Sequence, residues 1–254
     1  MLAEERKEKI IQMLEKNGNI KVSDLTRLFN VSLQTIRRDL EVLESEGLIK
    51  KVYGGAILKK NKIQDVTHSA REKKSLAEKD EIAEITLKLI EEGDSIAFND
   101  STTNLAIARK IKEKFKHLTI ISNSLLIVSE LSNVEGFNVI LAGGILNAKE
   151  QAFFGEITER ILDEFIIDKA FISVSGFSLQ TGVTDYPLEE VQLQKKLLKI
   201  SQKSIIIADS SKLESTSLIK VRDAIDVDLL VTDSNIDSEI KSRYEKAGIS
   251  VINQ

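Results

Sequence analysis

Two sets of residues in this 254-residue chain have types and spacings that can do chemistry. The first is Ser32, Gln34, Thr35, Arg37 and Arg38, followed by Lys50, Lys51, Tyr53, Gly54 and Gly55. A glutamine amide can bridge adenine and a guanidinium can bridge guanine in the major groove, while lysines meet the phosphate backbone. The second set is a series of small, polar stretches, each following an apolar run. It comprises Asn99, Asp100, Ser101, Thr102 and Thr103, then Ser122, Asn123 and Ser124, then Gly143 and Gly144, Ser175 and Gly176, and Asp209, Ser210, Ser211 and Lys212. Hydroxyls and free N–H groups at helix starts make a phosphate cradle. Ordinary turns use the same residue types, so one stretch alone defines nothing. Several on one rim point to a ligand pocket.

The elements that must position the first set are legible around it. Ser23 is placed to cap a helix with Leu25, Leu28 and Phe29 on one face, and Asn30 ends it. Val31 plugs the turn and Ser32 caps a second helix over 33–46, in which Leu33, Ile36, Leu40 and Leu43 face inward. Gly47 closes that helix, and 48–57 fits two short strands of a wing. Before this stretch, 3–16 reads as a helix with Ile10, Ile11 and Leu14 inward, and 20–22 as a short strand against the wing. The start of a helix offers N–H groups and a positive dipole end to DNA phosphate, while its side chains reach base edges. A trihelical protein-interaction module is the alternative; salt-dependent DNA affinity separates the two.

From residue 77 the pattern changes to helices alternating with short apolar strands, expected at 96–98, 118–122, 139–142, 170–174, 204–208, 229–232 and 250–252. Such interleaving argues a mostly parallel sheet covered on both faces, with ligands outside the carboxyl ends of its strands. The expected organisation is a DNA-binding domain over 1–58, a polar linker over 59–75 without a helical stripe, and an α/β domain over 76–254.

Composition narrows the classes. With 42% hydrophobic and 30% charged residues the chain has material for a real core. No apolar run approaches the roughly 18–20 residues that span a membrane, and the charged start is not a signal peptide. Cysteine is absent and the two histidines, His68 and His117, stand in unrelated contexts. Disulfides, thiol chemistry and a His/Cys metal centre are therefore not expected, and a cytoplasmic setting is. Residues 1–60 hold 12 Lys+Arg against 9 Asp+Glu, whereas the rest hold 24 against 31. A mildly basic head on an acidic body fits a DNA-reading domain joined to one that does not touch DNA.

The motifs themselves carry a resemblance. Ser32-Leu-Gln-Thr-Ile-Arg-Arg-Asp-Leu40, then Leu43-Glu44-x-x-Gly47 and Val52-Tyr53-Gly54-Gly55-Ala56, resemble the winged helix-turn-helix signature of DeoR-family bacterial transcriptional regulators. Further along, 99–103 is similar to the family's D-S-G-T-T loop, 122–124 to T-N-S and 142–144 to L-G-G. Asp168-Lys-Ala-Phe171, Gly182-Val-Thr184, Glu189-Glu190 and Asp209-Ser-Ser-Lys212 follow in family order.

That resemblance implies a sequence-specific DNA-binding regulator, a repressor of sugar metabolism. Its second domain would be built like ribose-5-phosphate isomerase and would bind a phosphorylated sugar. It implies a double-stranded operator, a phosphosugar effector, a dimer or tetramer, no membrane and no cofactor. The effector would meet Asn99, Asp100, Ser101, Thr102, Thr103, Asn123, Ser124, Gly143, Gly144, Ser175, Gly176, Gln194, Lys195 and Lys212. The sugar falls to Asn99 and Asp100, and the phosphate to the hydroxyls with Lys195 or Lys212. The chain also departs from the family. Asn99 and Ser101 replace Asp and Gly, Ser175 replaces the acid of G-A-D-G, and Gln194 replaces a lysine. Ser175 and Gln194 cannot move protons near neutral pH, so binding is expected rather than catalysis. A sugar-phosphate isomerase with an attached DNA-binding head is the alternative, decided by a turnover assay.

Overall fold

The computed structural model describes residues 3–17, 19–46, 48–52, 54–58 and 68–254. The chain separates into two compact units, Met1–Arg71 and Glu72–Gln254.

Among its described residues up to Leu58, the first unit has three helices and a three-stranded sheet: α1 (Ala3–Asn17), β1 (Asn19–Lys21), α2 (Val22–Phe29), α3 (Leu33–Ser45), β2 (Ile49–Val52) and β3 (Gly55–Leu58). The strands pair antiparallel in the order β1-β3-β2, so β1 lies along the wing as expected. Ile10, Leu14, Leu25, Ile36, Leu40, Leu43 and Ile49 form the core. Asn30 ends α2 in the left-handed region at φ 51°, and the Ser32 hydroxyl accepts the Thr35 N–H at 3.1 Å to start α3. Three local expectations are corrected. Lys21, not Ser23, precedes α2, because β1 runs straight into the helix. Leu28 and Leu33 are 59% and 48% exposed, because so small a core fully buries only Leu25 of α2 and takes α3 from Ile36 onward. Gly47 and Tyr53, expected to close α3 and to sit in the wing, lie outside the described residues.

Gly55 is dictated by sheet packing. A Cβ there would stand 2.1 Å from the Ile20 carbonyl oxygen, so no side chain fits between β3 and β1. Gly54 turns the wing at φ 78°. Both glycines thus serve the wing's backbone.

Part of the stretch read as linker is helical: α4 spans His68–Lys73. Six residues are too few to show an amphipathic stripe. The buried Lys79 ammonium donates to the Glu72 and Lys74 carbonyls at the helix's end, satisfying acceptors that would otherwise be orphaned.

The second unit is organised by a parallel sheet of seven strands in the order β15-β14-β12-β9-β4-β5-β6. These are β4 (Ser95–Phe98), β5 (Leu118–Ser122), β6 (Phe137–Leu141), β9 (Ile167–Ser173), β12 (Ser201–Ile207), β14 (Leu229–Val231) and β15 (Ser250–Ile252). Consecutive residues explain the two-sided burial. In β12, Ile205 and Ile207 join one core and Ile206 the other; in β9, Phe171 joins the first while Ala170 and Ile172 join the second. Helices α5 (Leu76–Leu87), α6 (Thr102–Lys114) and α7 (Leu125–Leu131) supply the first core. Helices α8 (Glu156–Leu162), α9 (Leu188–Ile200) and α10 (Ser238–Lys246) supply the second. Both faces are covered, as a parallel sheet requires.

Two small antiparallel units, not expected from the sequence, sit beside the main sheet. One is the hairpin β7 (Ile145–Asn147) with β8 (Ala152–Phe154). The other joins β10 (Gly176–Ser178), β11 (Gly182–Asp185) and β13 (Ile219–Arg222).

The chain leaves β4 toward β5 and β6 and later returns to β4's other side as β9. The strand order therefore reverses between β4 and β9, the position at which sheets of this kind hold ligands beyond the carboxyl ends of their strands. Phe98 and Phe171 are register partners across that boundary and stack at 5.5 Å between centroids. Such pairs add about 0.5–1.5 kcal/mol beyond area burial, which fixes the alignment of the strands flanking that boundary.

Candidate functional site

In the first unit, α3 presents Gln34, Arg37 and Arg38 exposed, with Thr35 half-buried. No carboxylate among the described residues pairs with Arg37 or Arg38, so both charges are available to a polyanion. Thr35 and Ser32 share a hydroxyl hydrogen bond at 2.8 Å, which gives Ser32 a capping role before any contact with DNA. Asp39, which completes the Arg-Arg-Asp triplet, points the other way. It is buried and takes a two-pronged bond from Arg6 of α1, Nε at 2.6 Å and Nη2 at 3.0 Å. In the wing Lys50 is exposed, while Lys51 lies 3.6 Å from Glu41 and 3.4 Å from Glu44 of α3. The Lys51 N–H also donates to Glu44 Oε1 at 2.8 Å, the main reason the Glu44 carboxyl is held below its ordinary range.

In the second unit, the stretches picked out in the sequence follow the carboxyl ends of the sheet's strands, but their jobs differ. Asn99 is saturated by the protein itself. Its Nδ2 donates to the Ser173 carbonyl at 3.0 Å and to Glu190 Oε1 at 2.7 Å, and its Oδ1 accepts from the Ser173 N–H and from Asn104 Nδ2. The side chain ties β4 to β9 and has no capacity left for a sugar. Asn123 accepts the Asp100 N–H at 3.0 Å and donates to the Phe153 carbonyl at 3.1 Å, which leaves one amide hydrogen over. Ser124 donates to Asp100 Oδ1 at 2.8 Å. Ser101 caps α6 by accepting the Asn104 N–H at 2.9 Å, leaving its hydroxyl hydrogen for an anion. Thr102 and Thr103 follow in the first turn of α6, both buried, with the helix's positive end behind them.

Of the three rim glycines, two answer to packing, while a Cβ on Gly143 would meet nothing within 4 Å. A Cβ on Gly144 would meet Thr158 Oγ1 at 2.2 Å and the Phe154 carbonyl at 2.9 Å; one on Gly176 would meet the Ser215 carbonyl at 2.7 Å. Lys195 is exposed on α9, whereas Gln194, one residue earlier, is fully buried. Lys212 comes close enough for its charge to act on Asp185.

Asp185 and Asn104 are the members that sequence reading passed over. Asn104 Nδ2 reaches the Asn99 carbonyl at 2.9 Å, Asn99 Oδ1 at 3.0 Å and the Phe171 carbonyl at 3.1 Å, so it holds the whole loop onto the sheet. Its position five residues after Asn99, at a helix start, was the only local signal. Gln194 Nε2 donates to Asp185 Oδ2 at 2.6 Å, with the Ser173 carbonyl at 3.2 Å and Glu190 Oε1 at 3.3 Å. Three acceptors around one nitrogen fix the amide's orientation. An uncharged amide thus spans two carboxylates.

Burial pushes the Asp185 carboxyl above its ordinary range, against hydrogen bonds from Ser175, Gln194 and the Tyr186 N–H and the charge of Lys212. A carboxyl raised by folding favours the native state when protonated, and that contribution is lost as pH rises from about 3.9 through the folded value. The thermal midpoint of Asp185→Asn minus that of the parent should therefore increase between pH 4 and pH 8. A difference that stays flat across that range would place Asp185 in a solvated setting.

Taken by its fold, this is a two-domain DNA-binding protein: a winged helix-turn-helix joined to a parallel α/β domain with polar residues at its strand reversal. The DeoR-like helix-turn-helix domain model matches residues 6–62 and the DeoR C terminal sensor domain model matches 74–234. The chain belongs to the DeoR family of transcriptional regulators. It is 33% identical to the HTH-type transcriptional regulator GolR of Listeria innocua over 97% of each chain. It is 36% identical to the uncharacterized HTH-type transcriptional regulator YulB of Bacillus subtilis, over 97% of this chain and 95% of that one. To the putative aga operon transcriptional repressor of Escherichia coli O157:H7 it is 32% identical, over 98% and 93%. Among solved structures it is similar to ribose 5-phosphate isomerase A of Methanocaldococcus jannaschii, with a TM-score of 0.39 and 15% identity over 53% of each chain. Among the described residues no helix is long and apolar enough to cross a membrane.

Proposed function

We propose that this regulator is a cytoplasmic repressor of a sugar-metabolism operon, released by a phosphorylated sugar that binds at the β4/β9 strand reversal. The observation that carries the effector reading is the start of α6. There Thr102 and Thr103, both buried, bring their hydroxyls and the first-turn N–H groups to the carboxyl end of β4, beside the carboxylate of Asp100. Such a site offers donors to phosphate at one end and acceptors to sugar hydroxyls at the other. In this reading Asn99 and Asn123 hold the site in shape, and Asp100, Thr102, Thr103, Ser101 and Lys212 meet the ligand.

The domain binds rather than catalyses. Ser175 and Gln194 carry no titratable group, and both Asp185 oxygens are already engaged, by the Tyr186 N–H and by Gln194. The chain pairs through this domain as a dimer or tetramer, because two winged helices read two half-sites where one gives little selectivity.

A ligand shifts an equilibrium only by its unequal affinity for the two states. The double variant Thr102→Ala, Thr103→Ala should bind operator as tightly as the parent and fail to release it across a panel of phosphorylated sugars, read by fluorescence anisotropy. Release that remains fully sensitive to the sugar would move the pocket elsewhere.

A further inference from the structure

The sheet's β6 edge presents its own recognition code. The Ala142 N–H donates to the Ser122 carbonyl of β5 at 2.9 Å, and alternate residues of a parallel strand face the same neighbour. Asn138 and Ile140 therefore also turn their backbone toward β5, and Phe137, Val139 and Leu141 turn theirs outward. At the two ends this outward row is closed by the chain's own turns. The Phe137 N–H donates to the Val134 carbonyl at 3.3 Å, and the Leu141 carbonyl accepts the Gly143 N–H at 2.9 Å. What remains is the Phe137 carbonyl, both groups of Val139 and the Leu141 N–H. No partner for them occurs among the described residues.

That remainder is self-complementary. An identical strand, laid antiparallel about a two-fold axis through Val139, exchanges both Val139 hydrogen bonds and receives each Leu141 N–H on the facing Phe137 carbonyl. Every free group is used and neither closed group is needed. A strand whose own ends were not closed in this way would set unpaired groups against the Phe137 N–H and the Leu141 carbonyl. The strand, Phe-Asn-Val-Ile-Leu, also carries none of the charges or prolines that guard a solvent-facing edge, and it is only partly buried. Beyond it the chain runs through Gly143 and Gly144 into β7. There Ile145 and Leu146 are 73% and 45% exposed, and Ile157 of α8 is 57% exposed. Strand pairing alone is too small for a stable interface, and this apolar surface is continuous with it along the chain.

We infer that the occupant of the β6 edge is the same strand of a second copy, joining two sensor domains into one continuous sheet. This rests on the reading that the sensor domain pairs the winged helices, and names the surface that does so. In the pair Asn138 lies opposite the partner's Ile140, and the two Asn138 residues are diagonal neighbours, about 7–8 Å apart.

The test uses the full chain, which has no cysteine of its own. Asn138→Cys should give a dimer band with a bis-maleimide of about 8 Å reach. Asn138→Lys, which sets a charge against the facing isoleucine, should raise the dissociation constant measured by sedimentation velocity at least tenfold, with an unchanged circular dichroism spectrum. A parent chain that is a dimer or tetramer, yet neither cross-links through residue 138 nor weakens with the lysine, overturns the edge assignment and leaves sensor-domain pairing standing. A parent that is monomeric at micromolar concentration overturns both.

Discussion

Arg6→Ala is expected to unfold the winged helix or bring it close to unfolding. Arg6 and Asp39 are each 6% exposed, and the guanidinium meets the carboxylate through both Nε and Nη2. Removing one partner leaves the other charge buried without compensation, which costs about 3–5 kcal/mol. That is a large part of what a unit with so small a core can hold. Urea unfolding of the 1–71 unit in the full chain, followed by circular dichroism, measures the loss. The double replacement Arg6→Met, Asp39→Leu should recover most of it, because an apolar pair removes both desolvation penalties together. Full stability in Arg6→Ala would mean that Asp39 is solvated in the folded protein.

Arg37→Ala should weaken binding to the operator by about 1–3 kcal/mol, as the loss of one base-reading contact does. Arg37 stands exposed on the first half of α3, with no carboxylate partner among the described residues, to one side of the buried Ile36, Asp39 and Leu40. Lys50→Ala should instead lower affinity for every sequence and flatten the dependence on salt, since a phosphate contact carries no base information. Titrations against operator and scrambled duplexes at several salt concentrations separate the two. Equal losses on both duplexes for Arg37→Ala would make it a backbone contact.

Much of this arrangement was legible because its causes are local. Ser32 announces a helix start, Asn30 a helix end, and Ile36, Leu40 and Leu43 mark one buried face, all between residues 30 and 43. The alternation of the second unit into strands and helices was equally local, since Ile205, Ile206 and Ile207 can all be apolar only if both faces of their strand are covered. What escaped the sequence depends on distant partners. Nothing near Asp39 indicates that Arg6, 33 positions earlier, will draw it inward. Nothing near Asn99 indicates that Ser173 and Glu190, 74 and 91 positions on, will consume its amide. The short antiparallel strands β10, β11 and β13 have too few residues for a period to emerge. Gly55 and Gly144 resemble flexible or ligand-facing positions in the sequence, and only the Ile20 and Phe154 carbonyls beside them show why a side chain is excluded.

The clamp between Glu44 and Lys51 has a consequence for how DNA is read. Through Lys51, Glu44 holds the wing both by its backbone N–H and by its ammonium group, so α3 and β2 cannot slide past one another. With α3 as the element that would enter the groove and the wing as the one that would touch the flanking phosphates, the pair would behave as a caliper of set span. When a caliper meets a duplex, the duplex must supply the matching distance between groove floor and backbone. Sequences whose own stiffness and groove width already provide it are bound at less deformation cost than those that must be bent to it, including at base pairs no side chain reaches.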